Sequence, residues 1–250
     1  MRRIFRILGW TALWTVLFLA LYTLLCLFSV PDLCDLDKKN PKTTAFIENR
    51  KEELAEHGLK RKIDQRWTPL SAISKNLKNA VVVTEDPNFT HHHGIDFFAI
   101  RMAMERNLEE GEIVSGASTI TQQLIKNLYL SPSRNPLRKW KEAILTLRVE
   151  RCVKKNRLLE LYLNVIEWGE SVYGIEAASR KYFGKSASSL DPAESALLTA
   201  MIPNPIVYNP YRYNPRLLKR KNLTLKLMWR AGMLSKSRYQ ESVRQKIRLR

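Results

Sequence analysis

Gly116-Ala-Ser-Thr-Ile-Thr-Gln-Gln-Leu-Ile-Lys-Asn-Leu-Tyr-Leu130 carries two patterns at once. Ile120, Leu124, Ile125 and Leu128 fall on one side of a helix, so one face is set for a core. Thr119, Gln123 and Lys126, or Asn127, share another face. Ser118 stands at the mouth of the helix, where hydroxyls and free backbone N–H groups favour an anion. A polar solvated surface is the plain alternative. Against it, three hydroxyls and two glutamines run together without the Glu/Lys pairs such a surface usually carries. The grouping suits a phosphate or a sugar.

Helical patterning continues on both sides. Phe97 to Leu108 has apolar residues at helical spacing and stops near Gly111. Asn135-Pro136 is a helix start, with Asn as cap and Pro in the first turn. The helix it opens places Trp140, Ala143, Ile144 and Leu147 on one face. Lys154 to Val165 reads as another helix. Asp191-Pro-Ala-Glu194 is a capping box opening a helix that Pro203 ends. Leu77 to Thr84 ends in Ala80-Val-Val-Val-Thr84 and fits a strand or a buried helix segment equally. Cys34 to Lys75 is polar and reads as a stalk with a short helix near Thr44 to Glu56. The fold class is mainly α.

Residues Ile7 to Pro31 carry no charge, which exceeds the ~20 residues a helix needs to cross a bilayer. Arg2, Arg3 and Arg6 precede the run, and Asp32, Asp35 and Asp37 follow it. Positive-inside bias puts the N-terminus in the cytoplasm and the rest outside. A cleaved signal peptide is the rival; the run is too long, and Leu-Phe-Ser-Val-Pro makes a poor cleavage site. The expected organisation is a cytoplasmic stub and membrane anchor over 1–34, a stalk and domain entry over 35–75, a helical domain over 76–211 and a basic helical tail over 212–250.

The chain has 42 Lys and Arg against 24 Asp and Glu, a formal charge of +18. From Arg212 onward there are thirteen basic residues and one acid, Glu241. Such a surplus calls for an anionic partner. An extracytoplasmic position argues against nucleic acid and leaves anionic lipid headgroups or a phosphorylated substrate. Cys26, Cys34 and Cys152 form no Cys-x-x-Cys pair and are expected to be free thiols.

Two further segments carry ionisable groups. Glu85 and Asp86 directly follow the apolar stretch, and a carboxylate against a greasy wall has its pKa raised toward acid–base use. The plain alternative is a helix N-terminus, where acids suit the dipole. His91, His92 and His93 are adjacent and cannot all face one ion, so no metal site is expected. In Arg138-Lys-Trp-Lys-Glu142, Glu142 sits four residues after Arg138 and three after Lys139. That is either an exposed ion-pair cluster or a cationic clamp for a pyrophosphate, with Glu142 orienting the cations.

Taken in order, these segments resemble the peptidoglycan glycosyltransferases found in penicillin-binding proteins and in monofunctional biosynthetic transglycosylases. The first motif is present as Glu85, Asp86, Phe89, His92, Gly94 and Asp96. The second runs from Gly116 to Asn127. The third is Arg138, Lys139 and Glu142. A fourth comprises Glu160, Tyr162-Leu-Asn164 and Gly169, Gly174, Ala177, Ala178 and Tyr182 to Lys185. The fifth spans Glu194 to Pro205 and closes with Asn209-Pro210. Asn88 departs from the pattern, which often has Arg there. No Ser-x-x-Lys occurs, so a transpeptidase serine of that type is absent.

The resemblance implies a lysozyme-like helical domain with a small membrane-dipping lobe around Phe97, Phe98, Ile100 and Met102. It also implies polymerisation of lipid II, a lipid-linked disaccharide, into β-1,4-linked strands with inversion and release of polyprenyl pyrophosphate. Glu85 would be the general base and Glu142 the second essential glutamate. Ser118, Thr119, Gln123, Lys126, Asn127, Arg138 and Lys139 would hold substrate, while Asp86, Phe89, His92 and Gly94 shape the first motif. No cofactor is required, though stimulation by a divalent cation is left open. Expected partners are lipid II, the growing glycan strand, the inner membrane and, from the cell's machinery, division or elongation proteins. A lytic muramidase and a non-catalytic anionic-polymer binder are the rivals. Arg138-Lys139 and the hydroxyl-rich second motif argue against the first, and the ordered motifs beside a spanning helix against both.

Overall fold

The computed structural model describes residues 2–28, 30–59, 62–112, 116–132 and 135–250. Ser29, inside the apolar run and the weighed cleavage site, lies outside them. Helix α1, Arg2–Phe28, contains the segment Arg6–Phe28, which is long and apolar enough to cross a membrane. It is followed by α2 (Ala45–Glu56), β1 (Asp64–Gln65), α3 (Lys75–Glu85), α4 (Phe97–Glu110), α5 (Ile120–Tyr129), α6 (Pro136–Glu150) and α7 (Lys155–Val165). Then come β2 (Glu167–Gly169), β3 (Val172–Tyr173), α8 (Ile175–Phe183), α9 (Pro192–Met201), α10 (Pro215–Arg230) and α11 (Lys236–Arg244). Mainly α is therefore the observed class.

Local sequence explains the helix starts. Thr119 Oγ1 accepts from Gln122 N at 3.1 Å, and Gln122 Oε1 accepts from Thr119 N at 3.0 Å, a reciprocal capping box on α5. Asp191 and Glu194 make the same box on α9, both bonds 2.9 Å long. Asn135 Oδ1 accepts from Leu137 N at 2.9 Å, with Pro136 in the first turn of α6. Every residue of α9 is buried, so it is the central post of the domain. Around it pack α3 and α10, while α5 packs between α6 and α7. The ambiguous stretch Leu77 to Thr84 is helical. Leu77, Ala80 and Val81 are fully buried, and α3 packs against both α9 and α10. Burial on two sides, rather than strand pairing, accounts for its valines. The sheet is small: β1 pairs parallel with β3, and β2 antiparallel with β3.

The cysteine expectation is corrected. Cys34 and Cys152 form a disulfide with Cα atoms 5.3 Å apart, and Cys26 keeps its thiol. A separation of 118 residues hides such a pair from spacing rules. The segment after the anchor packs on the domain: Leu33 and Leu36 are buried in the main core, Arg157 Nε donates to Leu36 O at 2.8 Å, and α2 packs on α5. The basic C-terminal segment packs on the domain as well. α10 buries Leu217, Thr224, Leu225 and Met228, and its consecutive cations separate, with Lys219 exposed, Arg220 half-buried and Lys221 buried.

Helix α1 runs beside α6 in the same direction. Tyr22 Oη donates to Leu137 O at 3.1 Å, Trp140 Nε1 to Thr23 Oγ1 at 3.1 Å, and Arg148 Nη1 to Leu27 O at 2.6 Å. The disulfide continues that seam.

Candidate active site

Glu85 closes α3. It therefore occupies a helix C-terminus, where the dipole disfavours a carboxylate, and not the N-terminus of the plain alternative. It lines a cleft of about 540 Å³ with Ser118, Phe98, Met102 and Arg106. Glu85 Oε2 accepts from Gln123 Nε2 at 2.9 Å, and Gln123 Oε1 in turn accepts from Tyr162 Oη at 2.8 Å. Burial raises the Glu85 pKa; the Gln123 hydrogen bond, then Arg220 and Lys126, oppose the rise, and Asp86 adds to it.

Asp86 turns into the protein. Its carboxylate accepts from His92 Nε2 at 2.9 Å and from Ile120 N at 3.0 Å, tying the end of α3 to the start of α5. His92 Nδ1 accepts from Gly94 N at 3.1 Å, which leaves the ring proton on Nε2. Gly94 has φ +95°, and a Cβ there would stand 2.7 Å from Thr146 Cγ2, so any side chain collides with α6. Phe89 is buried under the Lys155 ammonium, 4.6 Å from its ring centre. These four residues shape the motif from within.

Asp86, His92 and Asp96 place ligand atoms within 4.8 Å of one another, the spacing of a metal centre. All three are already engaged: Asp96 caps α4 through Ala99 N at 2.8 Å and accepts from Asn88 Nδ2 at 2.9 Å. The group is a hydrogen-bonded knot that includes the divergent Asn88.

On α6, Glu142 is only 2 % exposed. Its carboxylate is bonded by Lys139 Nζ and by Arg138 Nη1 at 3.2 Å. Lys139 Nζ also donates to Ser118 Oγ at 3.2 Å, joining the third motif to the mouth of α5. Burial lowers the Lys126 pKa, Glu142 and Glu85 pull it up, and Arg138 and Lys139 push it down. Lys126 thus lies in the field of both glutamates. Three cations gather there against two carboxylates, Glu142 and Glu85, and the remaining positive charge leaves room for an anionic ligand.

Two expected ligands are engaged within the fold. Thr119 is largely buried, capping α5 and donating through Oγ1 to Gly94 O at 2.6 Å, while it also borders the Glu85 cleft. Asn127 is buried and donates to Gln123 O at 2.8 Å, bracing the helix next to a smaller pocket that Gln123 and Lys126 share. Conversely, sequence reasoning passed over two residues. Tyr162 stood in the fourth motif without a role. Arg220 looked like one of many basic residues, yet its Nε donates to Ala200 O at 3.1 Å, its guanidinium lies 5.6 Å from the Tyr208 ring centre, and its charge bears on Glu85.

Comparison with known proteins matches residues 50–229 to the family model described as Transglycosylase. A biosynthetic peptidoglycan transglycosylase of Nitrosospira multiformis is 46% identical over 194 residues, covering 78% of this chain and 84% of the relative. That of Thiobacillus denitrificans is 43% identical over 229 residues, covering 90% and 96%. That of Laribacter hongkongensis is 41% identical over 221 residues, covering 88% and 97%. With its cleft carboxylate and cation cluster both inside the matched span, the chain belongs to the transglycosylase family.

Proposed function

We propose that this protein is a peptidoglycan glycosyltransferase of cell-wall synthesis, joining lipid-linked disaccharides into glycan strands. One observation carries the mechanism: Glu85, with its pKa raised, lies in a cleft near three cations, two of them held by Glu142. The acceptor's 4-hydroxyl gives its proton to the Glu85 carboxylate and attacks the anomeric carbon of the donor. Inversion at that carbon turns an α-linked pyrophosphate into a β-1,4 bond. Charge builds on the leaving pyrophosphate, where Arg138, Lys139 and Lys126 compensate it. Glu142 holds two of these cations in place and takes no proton. Ser118 and Gln123 border the donor strand.

Topology supports the same reading. Arginines precede the apolar helix and aspartates follow it, as expected for a cytoplasmic N-terminus. A disulfide at Cys34 needs the oxidising side of the membrane. Exposed Phe97, Phe98, Met104 and Leu108 on α4 surround the Arg101–Glu105 ion pair and give the helix large apolar side chains to set into the outer leaflet beside the cleft.

The test is polymerisation of labelled lipid II in neutral detergent by wild type and Glu85→Gln. Strands from wild type and none from a folded mutant are expected. Strands from both would remove Glu85 as the base and transfer the question to Glu142.

A further inference from the structure

Lys221 is 5 % exposed, and among the described residues it has neither a hydrogen-bond nor an ion-pair partner. Its position on α10 lies between buried Leu217 and Leu225, one turn away on either side. Packing alone would be served by a leucine or methionine there; a lysine with its stem buried and its ammonium at the edge of a pocket is an addition that packing does not need. Burial pushes its pKa down, and no carboxylate acts against that.

The side chain lines a pocket of about 460 Å³ that shares no residue with the catalytic cleft. The C-terminal segment makes one wall by folding back on the domain. Gln245 Nε2 donates to Asp191 Oδ2 at 2.7 Å, and Arg250 N to Tyr182 O at 2.9 Å. Arg212 and Lys246 bring two more cations to the lining, and no acidic residue lines it. Leu197, Leu217 and Leu249 supply an apolar surface. The first turn of α10 is capped by Asn214, also in the lining, so the positive end of a 16-residue helix dipole adds to the field.

We propose that this pocket is a second ligand site, which takes a phosphate group carried on a small, partly apolar body. Phosphate fits because it brings up to two negative charges to three cations and a helix N-terminus. The leucines take the apolar remainder. Two sources share that chemistry, a free soluble phosphate compound and the headgroup of an anionic phospholipid.

The experiment is thermal unfolding of the full chain in neutral detergent at constant ionic strength. Inorganic phosphate is titrated in one arm, dihexanoyl phosphatidylglycerol in a second, and the matching phosphatidylcholine serves as control. Wild type is compared with Lys221→Met and with Arg212→Gln/Lys246→Gln. The catalytic cations are present in all three proteins, so their own phosphate binding cancels. Saturation is expected to raise the wild-type midpoint by about 5 °C more than either variant. A difference in the phosphate arm identifies a soluble ligand. A difference confined to phosphatidylglycerol identifies a headgroup. Equal shifts in wild type and both variants, or no shift in either arm, would overturn the proposal. If Lys221→Met fails to fold, judged by circular dichroism, the rim double variant decides alone.

Discussion

The phenol of Tyr162 donates to Gln123 Oε1 at 2.8 Å, and that single bond decides which end of the Gln123 amide meets Glu85. With the oxygen committed to Tyr162, the amide nitrogen points at the carboxylate. Burial, with Glu85 and Asp86 adding to it, pushes the phenol well above its ordinary pKa, so it remains a donor throughout the working range. Tyr162→Phe should therefore lower kcat by ~10-fold with little change in KM, because the base is misoriented while substrate contacts survive. It should also destabilise the fold by ~1–3 kcal/mol, the penalty for an unsatisfied buried acceptor. Steady-state polymerisation and a melt measure both; an unchanged kcat would separate the phenol from catalysis.

Arg220 predicts a movement in the pH profile. As a base, Glu85 works when deprotonated, so the rate rises with pH through its pKa. The Arg220 charge holds that pKa down against burial. Arg220→Met should carry the acidic limb of kcat/KM to higher pH, and Arg220→Lys should restore part of the difference. A uniform loss at every pH would mark Arg220 as structural.

Glu85→Gln should be inactive yet more stable than wild type at neutral pH. A carboxyl whose folded pKa lies above its unfolded value binds protons more readily when folded. Wild type therefore loses stability as pH rises from the ordinary glutamate value of 4.5 through the raised folded value. The glutamine does not titrate, so its advantage should be small in acid, grow across that window and level off above it. Melting both proteins between acid and neutral pH checks the sign.

Glu142 behaves in the opposite sense. Glu142→Gln leaves Arg138 facing no charge in a buried setting and should cost about 3 kcal/mol of stability. Denaturant unfolding of the two glutamate variants side by side should show shifts of opposite direction. Stabilisation by both would mean that Arg138 and Lys139 are not held by Glu142.

Removing the disulfide with Cys34→Ser/Cys152→Ser should lower stability by about 2–4 kcal/mol, since it closes a long loop in the unfolded chain. Reduction of wild type should reproduce the loss, and the double variant should not respond to reductant.

Much of this architecture follows from patterns visible over ten to fifteen residues. The capping boxes at Thr119 and Asp191, the start at Asn135-Pro136 and the apolar stripe of α5 were all readable because each depends on near neighbours. Leu77 to Thr84 was ambiguous because burial on two faces erases periodicity. Glu85, Glu142 and the basic pair were singled out by an ordered resemblance. Tyr162, Arg220 and the Cys34–Cys152 bond were not, since each meets its partner from a distant segment. Thr119 could be placed at the mouth of α5 from near neighbours, but its bond to the carbonyl of Gly94 could not, since that partner comes from a distant segment.

On the proposed topology, the seam between α1 and α6 acts as a depth gauge. Tyr22 and Thr23 lie five to six residues before Phe28, roughly 8 Å below the end of the helix at 1.5 Å per residue. Their partners, Leu137 and Trp140, flank Arg138 and Lys139. Immersion of the anchor therefore sets the level of these two cations relative to the outer end of the helix. A substrate whose pyrophosphate lies in that plane would meet them without being lifted out of the bilayer.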